Sequence, residues 1–241
     1  MAGASRRPGA NSDPSSNGSL KLEELAREVC SCDACPRLVE WRLETARLKR
    51  AAFANQDYWA RGVPGFGDPE APVLFLGLAP AAHGANRTGR IFTGDRSGDW
   101  LFRALHRAGL ANQPTSSDRN DGLHLDGAWV TSAVKCAPPG NKPNPDERDR
   151  CRTFLVREIA ALTKLRVVVC LGSFAYDAAT AHFAVKPKPK FGHGIEVSVS
   201  AGITLVCSFH PSQQNTFTGR LTEQMLDAVV HRAVSLAQAD V

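Results

Sequence analysis

The run PVLFLGL (72–78), entering the loop GLAPAAHGANRTGRIFTGD (77–95), decides the fold. The run is a continuous apolar stretch of buried-strand length, and the loop leads into a helix carrying Trp100, Leu101, Leu105 and Ala108. The same alternation recurs downstream. GAWVTSAVKC (127–136) reads as a strand and RVVVCLG (166–172) as another, with a helix between them. Asn144 is the expected N-cap of that helix, with Pro145 at its first position and Glu147 three residues past the cap. Its stripe is Cys151, Leu155, Ile159 and Leu162. Ser173 is the expected cap of a short helix. GIEVSVS (194–200) and ITLVCSF (203–209) read as further strands, and a last helix is expected from Gly219 to Ala237. Apolar strands alternating with amphipathic helices predict an α/β fold, three layers α/β/α with a mostly parallel central sheet. Chemistry in such sheets collects beyond the carboxyl ends of the strands, which directs attention to the loops after residues 78, 136 and 209.

Upstream, residues 1–18 (MAGASRRPGANSDPSSNG) read as a disordered tail, with one domain over 19–241. A helix is expected from Ser19, and a second from Pro36 to Arg50 whose basic face (Arg37, Arg42, Arg47, Lys49, Arg50) reads as solvated, with contact to phosphates as the alternative. With 241 residues, 43% hydrophobic and 22% charged, the composition is that of a globular protein with a sizeable core. No apolar run approaches the roughly 18 residues that span a bilayer, and the start of the chain lacks the apolar core of a secretory signal. The expected location is therefore the reducing cytoplasm. A net charge of +5 permits a polyanionic partner without requiring one.

Seven cysteines argue against a disulfide framework. Cys170 and Cys207 sit within apolar strands and read as buried thiols. Cys32 and Cys35 form a C-x-x-C, and Cys136 and Cys151 bracket a 14-residue stretch holding four prolines. Two such pairs suit Zn²⁺ or an iron–sulfur cluster, and spacing does not choose between them. Cys30, two residues before Cys32, leaves the identity of one ligand open.

The 77–95 loop concentrates His83, Asn86, Arg87, Arg90, Thr93 and Asp95 among glycines that allow close backbone approach to a ligand. It lacks the G-K-[ST] of a nucleotide-triphosphate loop. HPSQQNTFTGRLT (210–222) follows a strand directly, with His210 at the strand end and Arg220 near the following helix.

These two loops, with Cys32, Cys35, Cys136 and Cys151, resemble the family 5 (B-type) iron–sulfur uracil-DNA glycosylases over about residues 30–230. The resemblance implies one α/β/α domain, a structural [4Fe–4S] cluster on those four cysteines, and excision of deaminated bases from DNA by a monomer. Double-stranded DNA is the implied partner, with single strands left open, and no membrane is involved. Location at the nucleoid follows. On this reading Phe92 is the platform for a flipped base, though it could equally be a core phenylalanine. His210 donates to the base O2 as charge develops there, which a single preorganised donor stabilises by about 3–4 kcal/mol. Gln213, Gln214, Asn215 and Phe217 are available to fill the gap in the base stack, and Arg87, Arg90 and Arg220 to hold phosphates. His83 and Asn86 are expected beside the base.

Two departures matter. The best-known uracil glycosylases place Asp just before the proline of the first motif, where this chain has Ala79. Asp95 is then the acid that positions water and stabilises the sugar cation, its competing role being a helix cap. Related enzymes carry Asn near the end of the second strand, where this chain has Ser132. A pocket of relaxed specificity is expected, accepting uracil and to some degree hypoxanthine, ethenocytosine or hydroxymethyluracil. The rival readings are a cluster-bearing DNA-binding module without catalysis, a zinc-ribbon interaction protein and a hydrolase of free nucleosides.

Overall fold

A computed structural model of the chain describes residues 14–239. In chain order its helices are α1 (Pro14–Ser31), α2 (Pro36–Leu48), α3 (Ala85–Thr88), α4 (Arg96–Arg107), α5 (Pro145–Ala161), α6 (Ser173–His182), α7 (Gln213–Phe217) and α8 (Glu223–Gln238). Its strands are β1 (Phe66–Gly67), β2 (Val73–Gly77), β3 (Ala128–Ser132), β4 (Val167–Leu171), β5 (Glu196–Ser198) and β6 (Thr204–Ser208). They form one sheet in the order β1-β3-β2-β4-β6-β5. The four central strands run parallel, and β1 and β5 pair antiparallel at the two edges. No helix among the described residues is long and apolar enough to cross a membrane.

The continuous apolar strands are explained by burial on both faces. Val73 and Phe75 of β2, with Val167, Val169 and Leu171 of β4, point into a core closed by α4 and α8. Leu74, Leu76, Val168 and Cys170 point the other way, onto Leu22 of α1, Leu155 and Ile159 of α5, and Tyr176 of α6. Cys170 and Cys207 face each other across β4 and β6, fully buried, as their apolar setting foretold.

Several boundaries differ from expectation. α1 begins at Pro14, so residues 14–18 are helical and the expected tail keeps only residues 1–13, which lie outside the described residues. The second strand stops at Ser132 instead of running to Cys136. There the chain turns, Val134 N donates to Leu78 O, and Lys135 and Cys136 are carried inward. Gly172, at φ 96°, caps α6, and Ser173 is its first residue. α8 begins at Glu223 because the Thr222 side chain accepts from Met225 N, whereas Gly219 sits in a turn at φ 71°. The capping box at Asn144 and Glu147 is formed as expected.

The inward turn after β3 buries a charge. Lys135 Nζ is hydrogen-bonded to the Glu158 carboxylate from α5 and to Thr131 Oγ1, with the lysine side chain 1% and the glutamate 3% exposed. Thr131 also donates to both carboxylate oxygens of Glu158. Removing one member of such a pair strands the other, whereas replacing both by apolar groups costs far less. Lys135→Met should therefore destabilise by about 3–5 kcal/mol in urea unfolding, and Lys135→Met with Glu158→Leu should recover most of that loss. Equal destabilisation by the single and double variants would refute the pairing.

Candidate active site

The site begins at the end of β2. Gly77 pairs with Ser132 of β3, and the loop that follows folds back so that the Phe92 ring lies on Gly77. A Cβ at Gly77 would stand 2.7 Å from the ring carbons, so only glycine admits this approach. Phe92 itself holds φ 52°, is 7% exposed, and stacks on the His210 ring with centroids 5.9 Å apart and planes 29° apart.

His210 follows β6, and Asn215 Nδ2 donates to its carbonyl oxygen at 2.8 Å. Desolvation takes the imidazole down to about 4, so the ring is neutral near pH 7. Asp95 is the N-cap of α4, with Oδ1 accepting from Gly98 N at 3.1 Å. Burial pushes its carboxyl up from the usual aspartate value, and the amides of Gly98 and Ser97 pull it back. The other carboxylate oxygen faces Gly84, where a Cβ would stand 2.4 Å away. Both loops therefore meet around Phe92, and Arg96 Nε, next to Asp95, donates to Thr216 Oγ1 of the last loop at 3.2 Å. The cap expected for Asp95 is present, and its second oxygen is turned toward Gly84.

Ser132 is 1% exposed, and its hydroxyl donates to Val134 O at 2.9 Å, leaving oxygen lone pairs as its remaining hydrogen-bonding capacity. Ala79 is half-buried and packs against the cluster of Cys35, Leu38, Val134, Cys136 and Cys151. His83 is half-buried, with Nδ1 at 2.9 Å from Tyr58 Oη.

Asn86 is fully buried, and its Nδ2 donates to Arg42 O and Ala82 O, which fastens the loop to α2, while its Oδ1 has no partner among the described residues. Other expected roles are corrected. Arg90 is 4% exposed and committed to Asp121, Ser116 and Thr93, so it is held within the protein rather than presented on the surface. Arg87 donates to His83 O, Gly94 O and Gln56 Oε1 and lies 4.0 Å over the Phe53 ring, which makes it the clamp across the loop's two ends. Gln213 and Gln214 are exposed on α7, Phe217 is 68% exposed, and Arg220 is exposed with its guanidinium 4.5 Å over Phe209. Asn215, by contrast, is tied to His210.

Cys35, Cys136 and Cys151 are buried and Cys32 half-buried, in one neighbourhood below Ala79. Arg42 Nη1 donates to Cys136 Sγ at 3.0 Å and Lys135 N to Cys151 Sγ at 3.2 Å. Burial pushes the Cys151 thiol up to about 12 and raises Cys136 and Cys35 as well. Among the described residues no three His, Cys, Asp or Glu stand close enough to close on a single metal ion. Cys30 faces elsewhere, onto Arg61 and Arg119, so Cys32 is the member of that pair beside the other thiols. The basic face of α2 was misread for Arg42, which is 6% exposed beneath the loop. Arg42, Arg96, Tyr58 and Gly84 are the site residues that sequence reasoning missed, since each acts through a contact distant in sequence.

A family model of the Uracil DNA glycosylase superfamily matches residues 64–233. Similar relatives include a Type-5 uracil-DNA glycosylase of Mycobacterium bovis, 52% identical over 91% of this chain and 83% of the relative. Another, of Thermus thermophilus, is 49% identical over 90% and 99%, and one of Pyrobaculum aerophilum is 43% identical over 88% and 92%. With a family model over residues 64–233 and relatives alike over most of the chain, the chain belongs to the uracil-DNA glycosylase superfamily.

Proposed function

We propose that the protein is a monofunctional DNA repair glycosylase that hydrolyses the N-glycosidic bond of uracil and of other deaminated or damaged bases, leaving an abasic site. The stacking of Phe92 on His210, with Asp95 three residues further along the same loop, carries this reading. A base turned out of the duplex stacks on Phe92. As the glycosidic bond lengthens, negative charge grows on the base and positive charge on the sugar. A neutral His210 N–H donates to the base oxygen without itself gaining a charge, a role that a depressed imidazole pKa favours. Asp95, held on the backbone amide of Gly98, orients water and stabilises the sugar cation. Because the base departs first, the water need not be fully deprotonated beforehand.

Ser132 supports the broad substrate range. Its proton goes to Val134 O, so toward a base it accepts an N–H and supplies no donor to verify a 4-keto oxygen. Gln213, Gln214 and Phe217 are exposed, as a side chain that enters the base stack must be, and Arg220 is exposed, as a phosphate contact must be.

Cys32, Cys35, Cys136 and Cys151 would hold a [4Fe–4S] cluster. Four thiols in one buried neighbourhood, two of them receiving N–H donors, suit sulfur ligands that carry negative charge. When bound, the cluster would serve as a structural anchor beneath Ala79. The substrate is double-stranded DNA, single strands being open, and a monomer suffices because both catalytic groups lie on one chain. The place of action is the cytoplasm, at the nucleoid where the DNA is.

Asp95→Asn separates the two roles of this residue, since asparagine caps helices as well as aspartate does. Abasic-site formation should fall by about 100-fold or more while the unfolding midpoint stays within a few tenths of a kcal/mol. In the native enzyme the rate should fall on acidification at a pH above 3.8, because burial raises the Asp95 carboxyl. Activity of Asp95→Asn within a few-fold of the parent would remove Asp95 from the mechanism.

His210 has a folded pKa below its unfolded value, so it adds stability above pH 6.5 that is lost as the pH falls toward 4. The loss is on the order of 3 kcal/mol, and His210→Asn should flatten the stability curve in that window. An NMR titration placing His210 near pH 6.5 would contradict the neutral-donor role.

Duplexes bearing uracil, hypoxanthine or ethenocytosine, followed by alkali to reveal abasic sites, test the substrate range. Cleavage of more than one lesion is expected, with Ser132→Asn narrowing the enzyme toward uracil. Strict cleavage of uracil alone by the native enzyme would sink the account of Ser132.

A further inference from the structure

A cavity of about 890 Å³ opens between α1, α2 and the segment 59–66, and none of Ala79, Phe92, Asp95, Ser132 or His210 lines it. We propose that this cavity is a second binding site, for a phosphorylated nucleoside unit, distinct from the base-excision site.

Charge is the first argument. Five of its fifteen lining residues are arginines, and none of the lining residues is acidic. Arg42 and Arg90 are engaged within the protein, although Arg42 Nε is buried without a partner. Arg27, Arg61 and Arg119 are exposed, and among the described residues no carboxylate pairs with them. Three guanidinium groups left uncompensated around one hollow favour an anion, and phosphate matches their planar donor geometry.

The second argument is preorganisation. Trp59 donates from Nε1 to Gly62 O at 3.0 Å, and its ring rests on Gly89, where a Cβ would stand 2.9 Å away. The backbone N–H groups of Trp59 and Ala60 donate to Arg87 O and Asn86 O, which fixes the segment to the first loop. Arg61 and Arg119 lie over this held ring, at 5.4 and 4.5 Å from its centroid. Stacked guanidinium groups lose less freedom on binding while their N–H edges stay available.

Size and lining give the third. Leu43, 51% exposed, together with Phe66, Pro64 and Ala26, forms an apolar wall that inorganic phosphate would leave unused. The volume lies in the range of small-molecule sites and accommodates a base and sugar beside the phosphate. The first thirteen residues of the chain are a poor alternative occupant, since Arg6 and Arg7 outnumber the single acid Asp13 and would meet like charge.

The assignment stands whether or not the protein excises bases, because it uses none of the excision residues. The nucleotide could be free or part of a DNA strand flanking the lesion, and the test separates the two. Isothermal titration of full-length holoprotein with 5′-deoxyadenylate, deoxyadenosine and inorganic phosphate is the first arm. Deoxyadenylate should bind more tightly than either fragment, and Arg61→Glu with Arg119→Glu should weaken it by about tenfold or more. That variant should keep its circular dichroism and its rate on a short blunt uracil duplex. The second arm compares blunt duplex with duplex carrying a single-stranded tail. A tail that tightens binding in the parent but not in the variant identifies a DNA strand as occupant. Deoxyadenylate binding with no effect of the tail identifies free nucleotide. The proposal fails if parent and variant bind deoxyadenylate equally, if neither binds it, or if inorganic phosphate binds as tightly.

Discussion

The carboxylate of Asp95 rests against the bare Cα of Gly84, and the site depends on that contact. One oxygen accepts from Gly98 N at the start of α4, and the other occupies the space a Cβ on residue 84 would need. Capping a helix contributes about 1 kcal/mol, which is ample reason to keep an acid there without any chemistry. The geometry makes the two roles compatible. Capping uses one oxygen and sets the direction of the other, which is the oxygen the proposed role would use. Burial and the capping amides oppose one another in setting its pKa, the burial effect being the larger.

Holding that contact takes a loop that cannot breathe. Arg87 bonds carbonyls at both ends of it, and Asn86 reaches across to the carbonyl of Arg42 on α2. Arg42 in turn donates to Cys136 Sγ and to Cys32 O. A continuous chain of hydrogen bonds thus runs from the cysteine neighbourhood to the 77–95 loop, and Ala79 adds a packing contact along the same route. The iron–sulfur site proposed for these cysteines would therefore act on catalysis by fixing the platform under the loop, with no part in bond cleavage.

The strands and their parallel order were legible because two-sided burial forces unbroken apolar runs, and PVLFLGL and RVVVCLG admit no other period. The 77–95 loop and His210 were expected beyond strand ends, where such sheets collect chemistry, and the stacking of Phe92 on His210 brings the two loops together. Arg87 and Arg90 were misread for one shared reason. Polar residues in a glycine-rich loop look available for a ligand, yet a long loop pinned to a protein must also satisfy its own carbonyls and fold its ends together. Local sequence does not say which polar group goes inward. The same holds for Arg42, whose spacing on α2 matches a solvated face until a loop forty residues away covers it. β1 spans two residues and α7 five, too short for any periodicity to register.

Phe92 shows how these constraints close on one another. A phenylalanine at φ 52° costs of order 1 kcal/mol or more, and such a backbone persists only if its surroundings overdetermine it. Here the ring is trapped between Gly77 on one strand end and His210 on another, while three residues later Asp95 fixes the chain as the helix cap. Relaxing the backbone at residue 92 would have to move the ring off Gly77, the carboxylate off Gly84, or both. The strain is therefore held by the same contacts that set Phe92 on Gly77 and His210 and Asp95 on Gly84, and a neighbour that loosened one would release the others.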